Sequence, residues 1–74
     1  ETKVNLKCDP DWAEELRGEY DGIIAGWHMS KKHWNTVILN QDVSDKFAFE
    51  LIDHSYKKVV QGMTKKLQNE LENL

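Results

Sequence analysis

The chain begins with a stretch of alternating apolar and polar residues. Val4, Leu6 and Cys8 share one side of this stretch, and lysine or asparagine occupies the positions between them. A two-residue period is typical of a strand with one face buried and one face in solvent. We therefore predict a half-buried strand over residues 2–8.

The period then changes to that of a helix. Trp12, Leu16 and Tyr20 recur at four-residue spacing, with mostly charged residues between them. Asp9 suits the N-cap and Pro10 the first helical position. The Asp-Gly pair that directly follows Tyr20 is a turn signal. This segment is predicted to be a short amphipathic helix.

Two β-prone runs come next. Ile23-Ile24-Ala25 is short and flanked by glycines, and the run over residues 34–39 has β-branched Thr36, Val37 and Ile38 at its centre. Such residues favour strands. We predict two short strands joined in a hairpin-like manner.

The connection between these strands is rich in tryptophan, histidine and lysine, with the sequence WHMSKKHW over residues 27–34. We expect Trp27 and Trp34 to anchor the hairpin to the core. Lys31, Lys32 and His33 are then expected at its tip, either simply in solvent or against phosphate groups.

The last segment has helical phase over nearly thirty residues. Ser44 is a good N-cap, and Val43 before it is placed to contact Ala48 across the first turn. One long helix or two joined helices fit the pattern, with a break either at Ser55, as a second N-cap, or at Gly62. The apolar positions of the stripe are Phe47, Ala48, Leu51, Ile52, Tyr56, Val59, Val60, Met63, Leu67, Leu71 and Leu74.

The predicted order β-α-β-β-α(α) defines an α+β fold, a small antiparallel sheet with helices on one face. Seventy-four residues suffice for a single domain over residues 1–74. A sheet of three strands leaves an exposed edge. The large side chains expected to supply much of the core are Trp12, Tyr20, Trp27, Trp34, Phe47, Phe49 and Tyr56.

Charge is unevenly distributed along the chain. The net charge of −3 and the pI near 5.5 count against a dedicated nucleic-acid-binding protein. However, residues 9–21 contain six acids and one base, whereas residues 56–67 contain four lysines and no acid. The domain is therefore expected to have one acidic and one basic side.

The composition also bears on the cellular compartment. A lone cysteine, Cys8, excludes an intrachain disulfide and favours a reducing compartment. No apolar run approaches the roughly 20 residues that span a bilayer, and no signal-peptide pattern opens the chain. We expect a cytoplasmic protein, and a first residue other than Met indicates a processed or truncated start.

The residues whose side chains could act in catalysis or bind a metal do not form a known catalytic or metal-binding pattern. His28 and His33 have a spacing used by zinc, but with one thiol and no second motif the ligand count is poor. Cys8 falls at a buried strand position, and the neighbours Asp53-His54-Ser55 point in different directions on a helix. The glycines fit no phosphate-binding loop. We predict no enzyme activity, no metal and no cofactor.

Three runs of residues together resemble a known family. They are NLKCDP over residues 5–10, GWHMSKKHWNTV over residues 26–37, and DHSY over residues 53–56 with Val59 and Val60 after it. These runs resemble the bacterial YjbR/MmcQ family across almost the whole chain. The positions that match its signature are His28, Met29, Lys32, His33, Trp34, Ser55 and Tyr56.

The resemblance implies a fold similar to secretion chaperones and a double-wing motif with predicted DNA binding. Family members usually have a further helix and strands upstream of the position of Thr2, so this chain corresponds to the C-terminal portion of their domain. The sheet is then expected to be incomplete, which favours a partner strand or a homodimer. The family implies no catalytic residues.

Two functional hypotheses follow. In the first, the domain binds DNA weakly and non-specifically through Lys31, Lys32 and His33, supported by helical lysines. In the second, it is a protein-interaction module, secretion-chaperone-like or dimerising, that uses its sheet edge and the stripe of Leu67, Leu71 and Leu74. Neither involves a membrane or a small-molecule substrate. The supporting lysines, which also fit the solvated face of a helix, are Lys57, Lys58, Lys65 and Lys66.

Overall fold

Six elements follow one another along the chain in the computed structural model, which describes residues 2–73. Their order, β-α-β-β-α-α, confirms the predicted α+β class. The elements are β1 (Lys3–Lys7), α1 (Pro10–Glu19), β2 (Ile23–Ala25), β3 (Trp34–Ile38), α2 (Asp45–Gln61) and α3 (Lys65–Glu72).

The three strands form one antiparallel sheet in the order β1-β3-β2. The β-branched strand β3 is central, and Val37 pairs with Val4 on one side and with Ile23 on the other. Residues opposite one another in an antiparallel sheet share a face. These three side chains therefore lie on one face, which we call the inner face, and the other side of the sheet is the outer face.

The helices cover the inner face. α1 packs on β2 and β3, and α2 packs on β1. Asp9 caps α1 as predicted, because its side chain accepts a hydrogen bond from Trp12 N. The core between sheet and helices is built from mostly aliphatic side chains: Leu6, Cys8, Ala13, Leu16, Ile23, Val37, Val43, Ala48 and Leu51.

The expectation that Trp27 anchors the hairpin to the core is wrong. Its side chain is 64% exposed. Trp27 follows Gly26, which lies so close to β3 that an added Cβ would approach Trp34 Cβ to 2.7 Å. The chain therefore leaves β2 in contact with β3, and Trp27 hydrogen-bonds Asn5 and Thr36 on the outer face.

Two further aromatic residues assigned to the core are also in solvent. Phe49 is 70% exposed and Tyr56 is 61% exposed. The buried positions of α2 are Ala48, Leu51 and Ser55. Each aromatic residue directly follows a buried position, and one residue turns about 100° around a helix, so both side chains fall beside the core face.

The C-terminal helical stretch is two helices, and its break lies near Gly62 instead of at Ser55. Thr64 caps α3 through a hydrogen bond from Leu67 N at 3.3 Å. Gln68 Nε2 donates to the carbonyl of Val60 at 2.8 Å and so fastens α3 to the end of α2.

The predicted leucine stripe of α3 does not reach the core in the part of the chain that the structure describes. Leu67 is 47% exposed, and Leu71 is half-buried. Leu74 lies outside the described residues. α3 buries none of its residues fully.

Candidate functional site

The segment of residues 26–33, which we call the basic loop, links β2 to β3 and consists of two successive turns. Met29 N donates to the carbonyl of Gly26 at 3.3 Å, and Trp34 N donates to the carbonyl of Ser30 at 3.0 Å. His28 has a φ of 58°, in the left-handed region that side chains other than glycine rarely occupy. The loop is thus a hydrogen-bonded structure with one unusual backbone position near its start.

The predicted loop cations lie in solvent on an anchored backbone. Lys31, Lys32 and His33 are all exposed. The carbonyl of Lys31 accepts a hydrogen bond from Arg17 Nη1 at 3.1 Å, and the carbonyl of His33 accepts one from Cys8 N at 2.8 Å. Their backbone is therefore held by α1 and by the end of β1, while their side chains remain available.

A buried polar network under the loop was not foreseen from the sequence. Arg17 Nη1 donates to Asn35 Oδ1 at 2.7 Å, and Asn35 Nδ2 donates to the carbonyl of Ala13 at 3.2 Å. Asn35 is buried on the inner face of β3. The sequence feature that could have indicated this network is Arg17, the single base among the acids of residues 9–21.

A second network holds Trp27 on the outer face. Trp27 N donates to Thr36 Oγ1 at 2.9 Å, Asn5 Nδ2 donates to the carbonyl of Trp27 at 3.2 Å, and Thr36 Oγ1 donates to Asn5 Oδ1. Lys3 Nζ lies 6.0 Å from the centroid of the indole ring. These four residues line an open cavity of about 200 Å³.

The helical lysines differ in their surroundings. Lys57 pairs with Asp53 at 3.2 Å, and Lys58 Nζ lies 3.9 Å from Asp9 Oδ1. Since Asp9 follows Cys8, which binds the carbonyl of His33, Lys58 lies at the same end of the sheet as the base of the basic loop. Lys65 and Lys66 are exposed on α3, which is fastened to α2 and not to the loop.

Two titratable groups beneath this end of the sheet have shifted pKa values. His54 Nε2 accepts a hydrogen bond from Asp9 N at 3.3 Å, and its ring meets Trp12 edge-on at 4.7 Å. Burial lowers the pKa of His54, and the charge of Lys58 adds to this effect. Burial raises the pKa of Cys8, and the Asp9 carboxylate raises it further. The thiol is therefore unsuited to act as a thiolate nucleophile.

Across residues 2–73, no three histidine, cysteine or acidic side chains come together as a metal site would require. Over the same range, no helix is long and apolar enough to cross a membrane.

The exposed side of α2 forms a separate apolar surface, which we call the α2 patch and define as Phe49, Ile52 and Tyr56. All three side chains are exposed. Phe49 and Ile52 also line an open groove of about 280 Å³ together with Leu39 and Ala48.

The fold and the loop define a small α+β domain in which a three-stranded antiparallel sheet carries helices on one face. The chain belongs to the YjbR family, whose model matches residues 1–58. It is 37% identical over 65 residues to the uncharacterised protein YbdF of Escherichia coli O157:H7, covering 88% of this chain and 53% of that one. The uncharacterised YyaQ of Bacillus subtilis is 34% identical over 53 residues, with 72% and 44% covered.

Solved structures support the same assignment. A crystal structure of Deinococcus radiodurans protein DR2400, with family-model domain DUF419, matches with a TM-score of 0.85 and 40% identity, covering 95% of this chain and 52% of that one. An NMR structure from Pseudomonas syringae matches with a TM-score of 0.62 and 36% identity, covering 74% and 43%. The chain spans about half the length of the curated relatives it matches, and their names assign no activity.

Proposed function

We propose that this domain binds nucleic acid weakly and without sequence preference through the basic loop. The observation that carries the proposal is a separation of charge within a chain of net charge −3. Residues 2–8 and 22–41, which contain all three strands and the basic loop, include no aspartate or glutamate. They do include four lysines: Lys3, Lys7, Lys31 and Lys32.

The acids nearest in the fold are those of α1, whose Arg17 contacts the backbone of the basic loop. α1 carries Asp11, Glu14, Glu15 and Glu19, all exposed, and it packs against the inner face of the sheet. Within residues 2–8 and 22–41, the strands and the basic loop therefore contribute cations and no carboxylates. Such a surface attracts phosphates by an electrostatic, sequence-independent effect even when the whole protein is acidic.

Among the candidate contacts, the loop cations are the strongest. Lys31 and Lys32 are exposed and have no acid within their own loop, whereas Lys57 and Lys58 each lie near an aspartate. An ion pair at the surface is weak, but the carboxylate offsets the charge that a phosphate would meet. We therefore assign the main contact to Lys31, Lys32 and His33, and a supporting role to Lys65 and Lys66.

The test is a titration of labelled duplex DNA at several salt concentrations. Each neutralised phosphate contributes a slope of about −0.9 to the dependence of log affinity on log salt. The variant Lys31→Gln/Lys32→Gln should therefore lose about 1.8 from the magnitude of that slope.

The matched control is Lys46→Gln, which removes an exposed lysine from the first turn of α2, away from the basic loop. Its slope should equal that of the parent chain. Absence of binding at low salt, or binding that salt does not weaken, would contradict the proposed function.

The α2 patch favours a second candidate function, docking of a protein partner. Its two exposed aromatic side chains and its groove resemble the apolar core of an interface more than an ordinary helix surface. Sedimentation velocity over a range of concentrations tests self-association, and Phe49→Ser/Tyr56→Ser should abolish it. A parent chain that stays monomeric throughout would count against a homodimer through this surface.

A further inference from the structure

We infer that Trp27 is a stacking platform for an unpaired base, so that single-stranded nucleic acid is the preferred ligand of the basic surface. This inference rests on the proposed function and names its ligand class. It also adds Trp27 and Lys3 to a site that the sequence assigned to loop and helix cations alone.

The indole ring of Trp27 lies in solvent beside a cation. Trp27 is 64% exposed, although a tryptophan side chain gains much from burial. Its contacts are with Lys3, whose ammonium lies 6.0 Å from the ring centroid, and with His28, whose ring meets it at 82° and 5.0 Å. The Lys3 ammonium beside the ring suits a site in which a base stacks on the indole while a cation contacts the phosphate backbone.

The backbone that carries the ring is fixed by hydrogen bonds, while the ring itself is exposed. Both backbone groups of Trp27 are bonded, its N–H to Thr36 Oγ1 and its carbonyl to Asn5 Nδ2. The third bond, from Thr36 to Asn5, closes the network. Because the backbone is already ordered, stacking of a base has to order only the two side-chain torsions of Trp27.

Specificity at this position depends on the groups beside the ring. The Asn5 amide and the Thr36 hydroxyl lie with Lys3 in the cavity of about 200 Å³. Both hydrogen-bond the backbone of Trp27 and each other, so they position the segment that carries the ring. Recognition by stacking alone tolerates any base, in agreement with binding that has no sequence preference.

Single strands and duplexes differ in whether a base can stack on the ring. In a duplex the faces of the bases are stacked on one another, so an exposed indole has no face to bind. Lys31 and Lys32 lie in the same loop as Trp27 and would contact phosphates of either ligand. Only a single strand engages the ring and the lysines together.

The experiment compares the parent chain with Trp27→Ala, Trp27→Phe and Phe49→Ala. Each is titrated with labelled single-stranded oligothymidylate and with a duplex of the same length at low salt. The substitution to alanine retains the backbone bonds of Trp27 and removes an exposed ring, so the fold is kept, and a thermal unfolding curve checks this. Phe49→Ala is the matched control because it removes an equally exposed aromatic ring from α2.

We expect Trp27→Ala to weaken single-strand binding by roughly 5- to 150-fold, the range that base–aromatic stacking covers. Trp27→Phe should retain most of the affinity, Phe49→Ala should match the parent, and duplex binding should change little in all three. Equal single-strand affinity for Trp27→Ala and the parent, with normal salt dependence, would overturn the stacking platform and leave the proposed function standing.

Two other outcomes would also overturn the inference. In the first, the parent chain self-associates, Trp27→Ala does not, and single-strand binding is the same for both. The outer face would then be an interface between copies of the chain. Failure of the parent to bind either nucleic acid at low salt would reject the proposed function and the platform with it.

Discussion

Arg17 Nη1 donates a hydrogen bond of 2.7 Å to Asn35 Oδ1, and this bond joins α1 to the central strand directly beneath the basic loop. Arg17 also donates to the carbonyl of Lys31. The same guanidinium thus links the helix, the sheet and the backbone of the loop. The cationic loop is thereby positioned by the fold and does not depend on its own turns alone.

The Asn35 side chain should contribute measurably to stability. Asn35→Ala removes the acceptor of Arg17 and the donor to the carbonyl of Ala13 in a buried place. Leaving buried polar groups unpaired costs about 1 to 3 kcal/mol, and we expect a loss of this size in the free energy of unfolding. Urea denaturation measures it, with Asn69→Ala on exposed α3 as a control expected to have little effect. Equal stabilities would contradict the role given to Asn35.

Ser55 should stabilise the packing of α2 on the sheet. Its Oγ accepts a hydrogen bond of 2.8 Å from the backbone N–H of Lys7, at the outer edge of β1. Ser55→Ala leaves that N–H without its acceptor, and we expect a cost of about 1 to 3 kcal/mol in the free energy of unfolding.

Thermal or urea denaturation of Ser55→Ala provides the measurement. The control is Ser30→Ala, since Ser30 is exposed and its backbone carbonyl, which the substitution retains, accepts the hydrogen bonds from His33 N and Trp34 N. If the two variants are equally stable, the contact between Ser55 and Lys7 has no energetic importance.

The lowered pKa of His54 predicts a loss of stability in mild acid. Because the folded state holds this pKa below its ordinary value of 6.5, the unfolded chain takes up the proton first as the pH falls. The contribution of His54 is therefore fully present above pH 6.5 and decreases below it. Protonation of Nε2 also removes the acceptor of Asp9 N.

This dependence is measured as the free energy of unfolding between about pH 7 and about pH 5.5, a range in which most carboxylates stay ionised. The stability of the parent should fall over this range, and that of His54→Gln should fall less steeply. His33→Gln, which changes an exposed histidine, should follow the parent. Parallel slopes for His54→Gln and the parent would contradict the prediction.

Cys8 should react slowly with thiol reagents in the folded protein. Its side chain is buried, and the raised pKa keeps it as the thiol at neutral pH. Labelling should become fast in denaturant. A Cys8→Ala/Ser30→Cys variant places a thiol on the exposed loop and provides the fast reference, and native labelling of Cys8 at the same rate would contradict its burial.

The sequence predicted the fold well because the elements are encoded by local patterns. The alternation of residues 2–8 corresponds to β1, and the cap at Asp9 corresponds to the start of α1. The choice of the break near Gly62 over Ser55 could not be made from the sequence, because it depends on the hydrogen bond that Lys7 donates from 48 positions away.

Exposure of aromatic residues was harder to predict. The helical period placed Ala48 on the apolar stripe and left Phe49 off it, and the structure buries Ala48 and exposes Phe49. Phe49 was assigned to the core only because of its size. Trp27 was assigned to the core because of its size. Its position depends instead on the close approach of Gly26 to Trp34 across the sheet, which is a tertiary contact.

The candidate site was predicted in part. Lys31, Lys32 and His33 are exposed on the loop where the sequence placed them. The networks that hold the loop could not be foreseen, because Arg17 and Asn35 are 18 positions apart in sequence and Asn5 and Thr36 are 31 apart. Their roles in binding stay predictions.

Binding of nucleic acid by the basic loop and the outer face of the sheet can be mapped residue by residue from amide shifts in NMR spectra. Single-stranded oligothymidylate is added to the labelled chain at low salt. We expect shifts of the amides of the basic loop, of Asn5 and Thr36, and of the Trp27 indole N–H. Shifts confined to the α2 patch, or no shifts at all, would contradict it.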